Sequence, residues 1–232
     1  MIPKIIHYCW LSNDPIPQKL QQYMLSWKEK LPDYQFIHWN FENFDKNSSR
    51  WVSEAFNHKK YAFAADYIRL YSLYHYGGIY LDMDVEVLKS FNDFLTLNTM
   101  LCFENNKRDS LEVAAFGTEK GSSWVKVCLD RYENRSFIKP DGSFDTQTLP
   151  IIVKECLLSN GYKLIRVNSI EEAKHMDEKE IPVFPCSYFS PKSYLTGDLK
   201  ISSNTYSIHH FSGSWLTPWQ QFKIKMHRFF KI

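Results

Sequence analysis

Two carboxylates lie two residues apart in Asp82-Met83-Asp84, directly after the apolar run Ile79-Tyr80-Leu81. Because Gly77-Gly78 precedes that run, the sequence predicts a helix end, a short buried strand, and two aspartates at the strand's carboxyl end. Carboxylate oxygens select hard divalent cations such as Mg²⁺ or Mn²⁺, which often hold substrate phosphates. An isolated Asp-x-Asp is common, and two exposed turn carboxylates are the simpler explanation. The apolar strand and the glycine pair favour a metal site.

A second pair of charged residues, Asp66 and Arg69, lies in a helix predicted over Tyr61–Tyr76. Residues three apart on a helix share one face. Both interrupt an apolar and aromatic segment, where a buried ion pair alone is weak evidence for stability. One interpretation is a carboxylate for sugar or ribose hydroxyls and a guanidinium for oxyanions. The alternative is a salt bridge within the helix.

The elements that must position these residues alternate along the chain. Lys4–Trp10 and Tyr34–Trp39 predict strands, and the amphipathic segment Pro17–Lys30 between them predicts a helix. This order implies a parallel pair joined by a crossover helix, and therefore an α/β fold. Without repeats or a linker, residues 1–232 are expected to form a single domain. Further strands are predicted over Ile79–Asp82, Leu111–Phe116 and Thr205–Phe211.

Composition excludes several classes of protein. Hydrophobic residues make up 44% of the 232 residues and charged residues 23%, which argues against disorder. A net charge of +2 gives no basis for nucleic-acid binding. The N-terminus lacks the features of a signal peptide, so a cytoplasmic protein is expected. Five scattered cysteines without a CxxC pair predict buried, reduced thiols.

Two stretches in this order resemble the nucleotide-sugar glycosyltransferases with a DXD motif. They are Ala65-Asp66-Tyr67-Ile68-Arg69-Leu70 and Tyr76-Gly77-Gly78-Ile79-Tyr80-Leu81-Asp82-Met83-Asp84. They are most similar to glycosyltransferase family 32, which includes capsular polysaccharide transferases. The catalytic domains of clostridial glucosylating toxins carry a similar arrangement. The opening segment Ile2–Trp10 and the closing segment Ile208–Trp215 also match the family pattern.

This resemblance implies a GT-A fold with a Rossmann-like, mostly parallel sheet flanked by helices. It also implies a retaining hexosyl transfer that depends on Mn²⁺ or Mg²⁺. The expected donor is a nucleotide sugar, with a UDP-sugar favoured, and the expected acceptor is a bacterial surface or capsular polysaccharide. The implied catalytic residues are Asp66, Arg69, Asp82 and Asp84. The implied donor-binding residues are Trp10, Asp66, Arg69, Tyr80, Asp82, Ser214 and Trp215. The implied metal ligands are Asp82, Asp84 and His210.

Three features stay open at this point. His209 and His210 point to opposite faces of a strand, so one of them faces the site, and the resemblance favours His210. Asp145–Pro150 lacks the glycine of the Thr-Gly-Pro motif found in many relatives, which leaves the acceptor side undefined. Residues 216–232 predict a basic amphipathic helix. It either lies on an anionic membrane, at its inner face and near a lipid-linked acceptor, or packs against the domain.

Two other functions compete with sugar transfer. Paired aspartates also serve metal-dependent phosphohydrolases, although these need further ligands for a second metal and no cluster of them is evident in the sequence. A non-catalytic module that binds nucleotide sugars is the other alternative. The combined presence of Asp66, Arg69, Asp82, Asp84 and His210 favours the enzyme.

Overall fold

The structure is a computed structural model that describes residues 1–105, 110–213, 219, 222–223 and 226. Its strands are β1 (Ile5–Cys9), β2 (Gln35–Trp39), β3 (Gly78–Leu81), β4 (Val85–Val87), β5 (Thr99–Asn105), β6 (Ser110–Thr118), β7 (Lys163–Arg166), β8 (Glu180–Val183) and β9 (Ser207–His209). Its α-helices are α1 (Gln18–Lys30), α2 (Arg50–Asn57), α3 (Tyr61–Tyr76), α4 (Ser123–Asp130), α5 (Leu149–Ser159) and α6 (Ile170–Ala173). Short 3₁₀ turns cover Lys46–Ser48 and Asn92–Phe94.

The central sheet has five strands in the order β2-β1-β3-β6-β5. Strand β1 pairs in parallel with β2 and with β3, and α1 makes the predicted crossover between β1 and β2. Strand β6 runs antiparallel to both β3 and β5. The sheet is therefore mixed rather than mostly parallel, because the reversed strand β6 accounts for two of the four pairings. Two smaller sheets pair β4 with β9 and β7 with β8.

The sheet separates two apolar clusters. Tyr80 of β3 packs in the cluster formed with helices α2 to α5, whereas Ile79 and Leu81 pack in the cluster that contains Trp27 of α1. This alternation is expected for a strand that is buried on both faces. Helix α3 is buried over most of its length, so Asp66 and Arg69 are only 8% and 5% exposed. Charges at that depth require partners.

Gly77 ends helix α3 at the position that the sequence predicts. Its φ is +67°, and its N–H donates to the Leu73 carbonyl at 2.9 Å. Its carbonyl accepts a hydrogen bond from Nε2 of the buried His7 at 2.7 Å. A Cβ at this position would lie 2.6 Å from the Lys120 backbone nitrogen and 2.9 Å from Cδ of Pro3. Only glycine allows this close approach, which sets the start of β3 and the path toward Asp82.

Replacing Gly77 with Ala is expected to lower the free energy of unfolding by about 2–4 kcal/mol, through a positive φ and the clash with backbone atoms. Gly121 provides a matched control, because its φ is +75° and a Cβ there would meet nothing within 4 Å. Gly121→Ala should therefore cost only the conformational part, about 1 kcal/mol. Urea unfolding of both variants measures the difference, and equal losses would contradict the steric explanation.

Four of the five cysteines are buried, as predicted, whereas Cys186 is half-buried. None of the helices in the described ranges combines the length and the apolar character of a membrane span. Most of the predicted helix over 216–232 lies outside the described residues, and among its described residues Trp219, Phe222 and Met226 are exposed. Its contact with a membrane stays a prediction.

Candidate active site

A cleft of about 890 Å³ lies at the carboxyl ends of β1 and β3. Trp10 follows β1, Asp66 and Arg69 come from α3, and Asp82 and Asp84 follow β3; all five line the cleft. Ligands of open α/β sheets bind at this edge, because loops after neighbouring parallel strands meet there. The structure thus brings together residues that the sequence singled out in three separate elements.

The two aspartates lie in a tight turn between β3 and β4. The Val85 N–H donates to the Asp82 carbonyl at 3.0 Å, and the Ser212 N–H donates to Oδ2 of Asp84 at 2.6 Å. Burial alone would raise the pKa of Asp84, but the facing His209 and the hydrogen bond from Ser212 hold it well below its usual range. Asp84 is therefore ionised at neutral pH, as a metal ligand must be.

His209 reaches the aspartates through the small sheet of β4 and β9. The antiparallel register places His209 opposite Val85, so its ring lies beside Asp84. Its Nε2 is 3.5 Å from Oδ1 of Asp84, and one ligand atom each from Asp82, Asp84 and His209 lie within 4.8 Å of one another. Two carboxylates and one imidazole form a donor set that suits Mn²⁺, whereas Mg²⁺ takes mainly oxygen ligands. The residues present therefore fit a divalent metal.

The backbone N–H of His210 donates to the Asp84 carbonyl at 3.0 Å, but its side chain points away from this group, which corrects its selection as the third ligand. Its Nε2 is 2.8 Å from Oε2 of Glu86, and its ring stacks on Tyr23 with centroids 4.3 Å apart. The expectation that only one histidine faces the site holds, because successive side chains of a strand point in opposite directions. The register between β4 and β9 decides which one, and it selects His209.

Glu112 is a site residue that the sequence interpretation missed. It lies in β6 and is 3% exposed, and its Oε2 is 3.0 Å from Nδ1 of His209. Its Oε1 accepts the Ala114 N–H at 2.8 Å. Burial would raise the pKa of Glu112, but His209 and these hydrogen bonds lower it overall. A single acid inside the apolar run Leu111–Phe116 was the available signal, since such a residue needs a buried partner.

Arg69 joins the helix to the aspartate turn. Its Nη2 lies 3.2 Å from Oδ1 of Asp66 and 3.1 Å from Oδ1 of Asp82, and its Nη1 donates to the Val113 carbonyl at 2.8 Å. Burial raises the pKa of Asp66 to about 7 and also raises the pKa of Asp82, although Arg69 opposes both shifts. The salt bridge within the helix therefore exists, and it extends to the first aspartate of the motif.

The remaining predicted donor residues fall in three situations. Tyr80 is 1% exposed, and the Arg69 guanidinium carbon lies 4.6 Å from the Tyr80 ring centroid, so the Tyr80 ring packs against the guanidinium. Trp10 lines the cleft with its Nε1 donating to the Asp14 carbonyl at 2.9 Å. Ser214 and Trp215 lie outside the described residues. The donor contacts of all four stay predictions.

Thr148, Leu149 and Pro150 also line the cleft, where α5 begins. The segment thus reaches the site without the glycine that many relatives carry. Upstream, the carboxylate of Asp145 forms an ion pair at 2.6 Å with Arg135, which fixes the loop that leads to the helix. Of the segment Asp145–Pro150, only the last three residues line the cleft, and the acceptor side stays undefined.

Comparison with known proteins identifies the family. Residues 17–101, which include α3 and the aspartate turn, match the family described as glycosyltransferase sugar-binding region containing DXD motif. The chain is 38% identical over 225 residues to inositol phosphoceramide mannosyltransferase 2 of Schizosaccharomyces pombe, covering 93% of this chain and 58% of that protein. The resemblance to the DXD-motif glycosyltransferases of family 32 is therefore confirmed.

Other relatives are similar over different lengths. A mannosyl phosphorylinositol ceramide synthase of Saccharomyces cerevisiae is 33% identical over 121 residues, covering 48% of this chain and 31% of that protein. An uncharacterised glycosyltransferase of Acanthamoeba polyphaga mimivirus is 26% identical over 221 residues, 89% of this chain and 83% of that protein. The chain thus spans less than two thirds of either yeast relative. Neither yeast name supports the predicted bacterial capsular polysaccharide acceptor.

The fold of this chain also resembles that of a solved glycosyltransferase. The PaToxG glycosyltransferase superposes with a TM-score of 0.51 over 69% of each chain, at 16% sequence identity. At that identity the similarity concerns the fold alone. It supports the α/β architecture with a five-stranded mixed sheet flanked by helices.

Proposed function

We propose that this chain transfers a hexose from a nucleotide-sugar donor to a hydroxyl acceptor with the help of Mn²⁺. The observation that carries the proposal is the convergence of Asp82, Asp84 and His209 in one cleft, with Arg69 beside them. Asp82, Asp84 and His209 would hold the metal, which neutralises charge on a leaving diphosphate. Arg69 adds a fixed positive charge at the same edge of the cleft, where negative charge grows as the sugar–phosphate bond breaks.

The carboxylates around the cleft support a same-face mechanism, in which the leaving phosphate takes the acceptor's proton. Asp66 and Asp82 are bound to Arg69, and Asp84 and Glu112 are bound to His209. A double-displacement mechanism would instead need a carboxylate that is free to attack the anomeric carbon from the opposite face of the sugar. Glu104 also lines the cleft and accepts a hydrogen bond from the Ser110 hydroxyl at 3.4 Å. Because each of these five acids is already engaged by a neighbouring group, retention through the same face fits the site better than a covalent intermediate.

The names of the yeast relatives make mannose the first donor sugar to test and a ceramide-linked headgroup the first acceptor. The family resemblance favours a UDP-sugar, so the donor panel includes both GDP- and UDP-sugars. The proposed GT-A nucleotide site lies next to Trp10, whose indole at the cleft wall would stack on the base.

A donor panel tests the function and separates it from both alternatives. We expect one of GDP-mannose, UDP-glucose and UDP-galactose to raise the melting temperature only with Mn²⁺ present, and to release nucleoside diphosphate slowly into water. A phosphohydrolase would cleave inside the diphosphate and yield nucleoside monophosphate and sugar phosphate. A binding module would show the thermal shift without turnover. The absence of any Mn²⁺-dependent shift or turnover across the panel would contradict the proposal.

A further inference from the structure

Glu112 is buried in the middle of the central sheet, where an unpaired carboxylate would be costly. Each of its oxygens has a separate partner. Oε1 accepts the Ala114 N–H at 2.8 Å, which fixes the carboxylate relative to the backbone of β6. Oε2 lies 3.0 Å from Nδ1 of His209, across the gap between the central sheet and the small sheet of β4 and β9. Glu112 is thus held rigidly and directed at one side chain.

This contact determines which nitrogen of His209 faces the cleft. A carboxylate accepts a hydrogen bond, so in the neutral form that a metal ligand must take, the imidazole would carry its proton on Nδ1 and leave a lone pair on Nε2. Nε2 is the atom beside Asp84, at 3.5 Å from Oδ1. A histidine metal ligand generally donates its other ring N–H to a carboxylate or carbonyl, which fixes its tautomer and orientation.

We propose that Glu112 is a positioning residue that orients His209 for binding of the divalent metal. This inference rests on the metal site of the proposed function. It adds a residue that lies outside the group of potential ligands and acts through His209. Without the carboxylate, the ring of His209 is free to rotate or to place its proton on Nε2, and either change removes the lone pair from the site.

The neighbouring histidine provides a matched control. Glu86 makes a comparable contact with His210, with Oε2 at 2.8 Å from Nε2, but His210 is outside the group of potential ligands. Glu112→Gln and Glu86→Gln therefore remove the same charge from the same kind of pair. Only the first pair includes a ligand, so only the first substitution should alter metal affinity.

The experiment measures the dissociation constant for Mn²⁺ by electron paramagnetic resonance of the free ion, using the full chain. Glu112→Gln should bind Mn²⁺ about 10- to 100-fold more weakly than wild type, and Glu86→Gln should bind it as wild type does. The melting temperature without metal checks folding. Saturating Mn²⁺ should restore transfer by Glu112→Gln to near the wild-type rate, which a purely structural defect would not allow. Glu112→Asp keeps the charge and should give intermediate affinity, and this variant decides the matter if Glu112→Gln does not fold.

The outcomes separate this role from the proposed function. Equal Mn²⁺ affinity of wild type and Glu112→Gln, or equal weakening by Glu112→Gln and Glu86→Gln, would overturn the positioning role alone. Failure of the wild-type chain to bind Mn²⁺ would overturn the metal site itself, and the role of Glu112 with it.

Discussion

Replacing Asp84 with Asn should lower the rate of sugar transfer about a thousandfold, if the charge contributes about 4 kcal/mol to stabilising the transition state through the metal. The substitution removes one negative charge from the group of metal ligands but keeps a side-chain oxygen that can accept the hydrogen bond from the Ser212 N–H. His209 keeps its contact with Glu112 at 3.0 Å, so the local structure should survive. The assay is kcat/KM with the donor that the panel identifies, together with the melting temperature of each protein.

Glu86→Gln is the control for this prediction as well, because Glu86 lies two residues further along the same chain segment but faces His210. Both variants lose one negative charge near the cleft, so a general electrostatic effect would appear in both. Transfer by Asp84→Asn at near the wild-type rate would contradict the metal site, whereas an equal loss in both variants would point to general electrostatics.

Local sequence signals were sufficient for the elements that carry the motif. The structure confirms the helix over Tyr61–Tyr76 at both of its predicted ends. Its C-terminal end is set by Gly77, which supplies the positive φ that stops the helix. The strand that follows delivers Asp82 to the carboxyl edge, as its short apolar run indicates. In each case the information lies within a few neighbouring residues, and helix caps and buried strands depend on such short-range features.

Pairing between distant strands determined what the sequence could not supply. The choice between His209 and His210 depends on the register of β4 with β9, segments more than a hundred residues apart. A shift of one residue would exchange the two histidines. Likewise, Glu112 meets His209 only because β6 lies next to β3 in the sheet. No local pattern encodes these registers, since they arise from packing of the whole sheet.

The direction of β6 was more accessible from the sequence. Only residues 106–109 separate β5 from β6, and a connection that short joins antiparallel strands, because a parallel pair needs a crossover of a dozen or more residues. The expectation of a mostly parallel sheet came from the family resemblance rather than from the lengths of the connections between strands. Mixed pairing follows directly from that short connection.

Replacing Arg69 with Met should lower the free energy of unfolding by about 3–5 kcal/mol at neutral pH, the cost of leaving a buried charge without its partner. Arg69 faces two carboxylates, Asp66 at 3.2 Å and Asp82 at 3.1 Å, and is only 5% exposed. Methionine fills much of the same volume, so the loss reports charge rather than a cavity. Urea unfolding of Arg69→Met and of the double variant Asp66→Asn/Arg69→Met measures it, and the double variant should recover part of the loss.

The pH dependence of Arg69→Met gives a sharper test, because it identifies the charge responsible. In the wild-type protein the pKa of Asp66 is already raised to about 7, so the folded state binds more protons than the unfolded state between about pH 4 and 7. Stability contributed by this group therefore falls as pH rises through that window. Without Arg69, which lowers the pKa of Asp66, the pKa rises further and the loss continues above pH 7. Arg69→Met should thus be closer to wild type in stability at pH 5 than at pH 8, and Asp66→Asn should reduce that difference. A pH-independent deficit would mean that packing, rather than the buried carboxylates, makes Arg69 necessary for the fold.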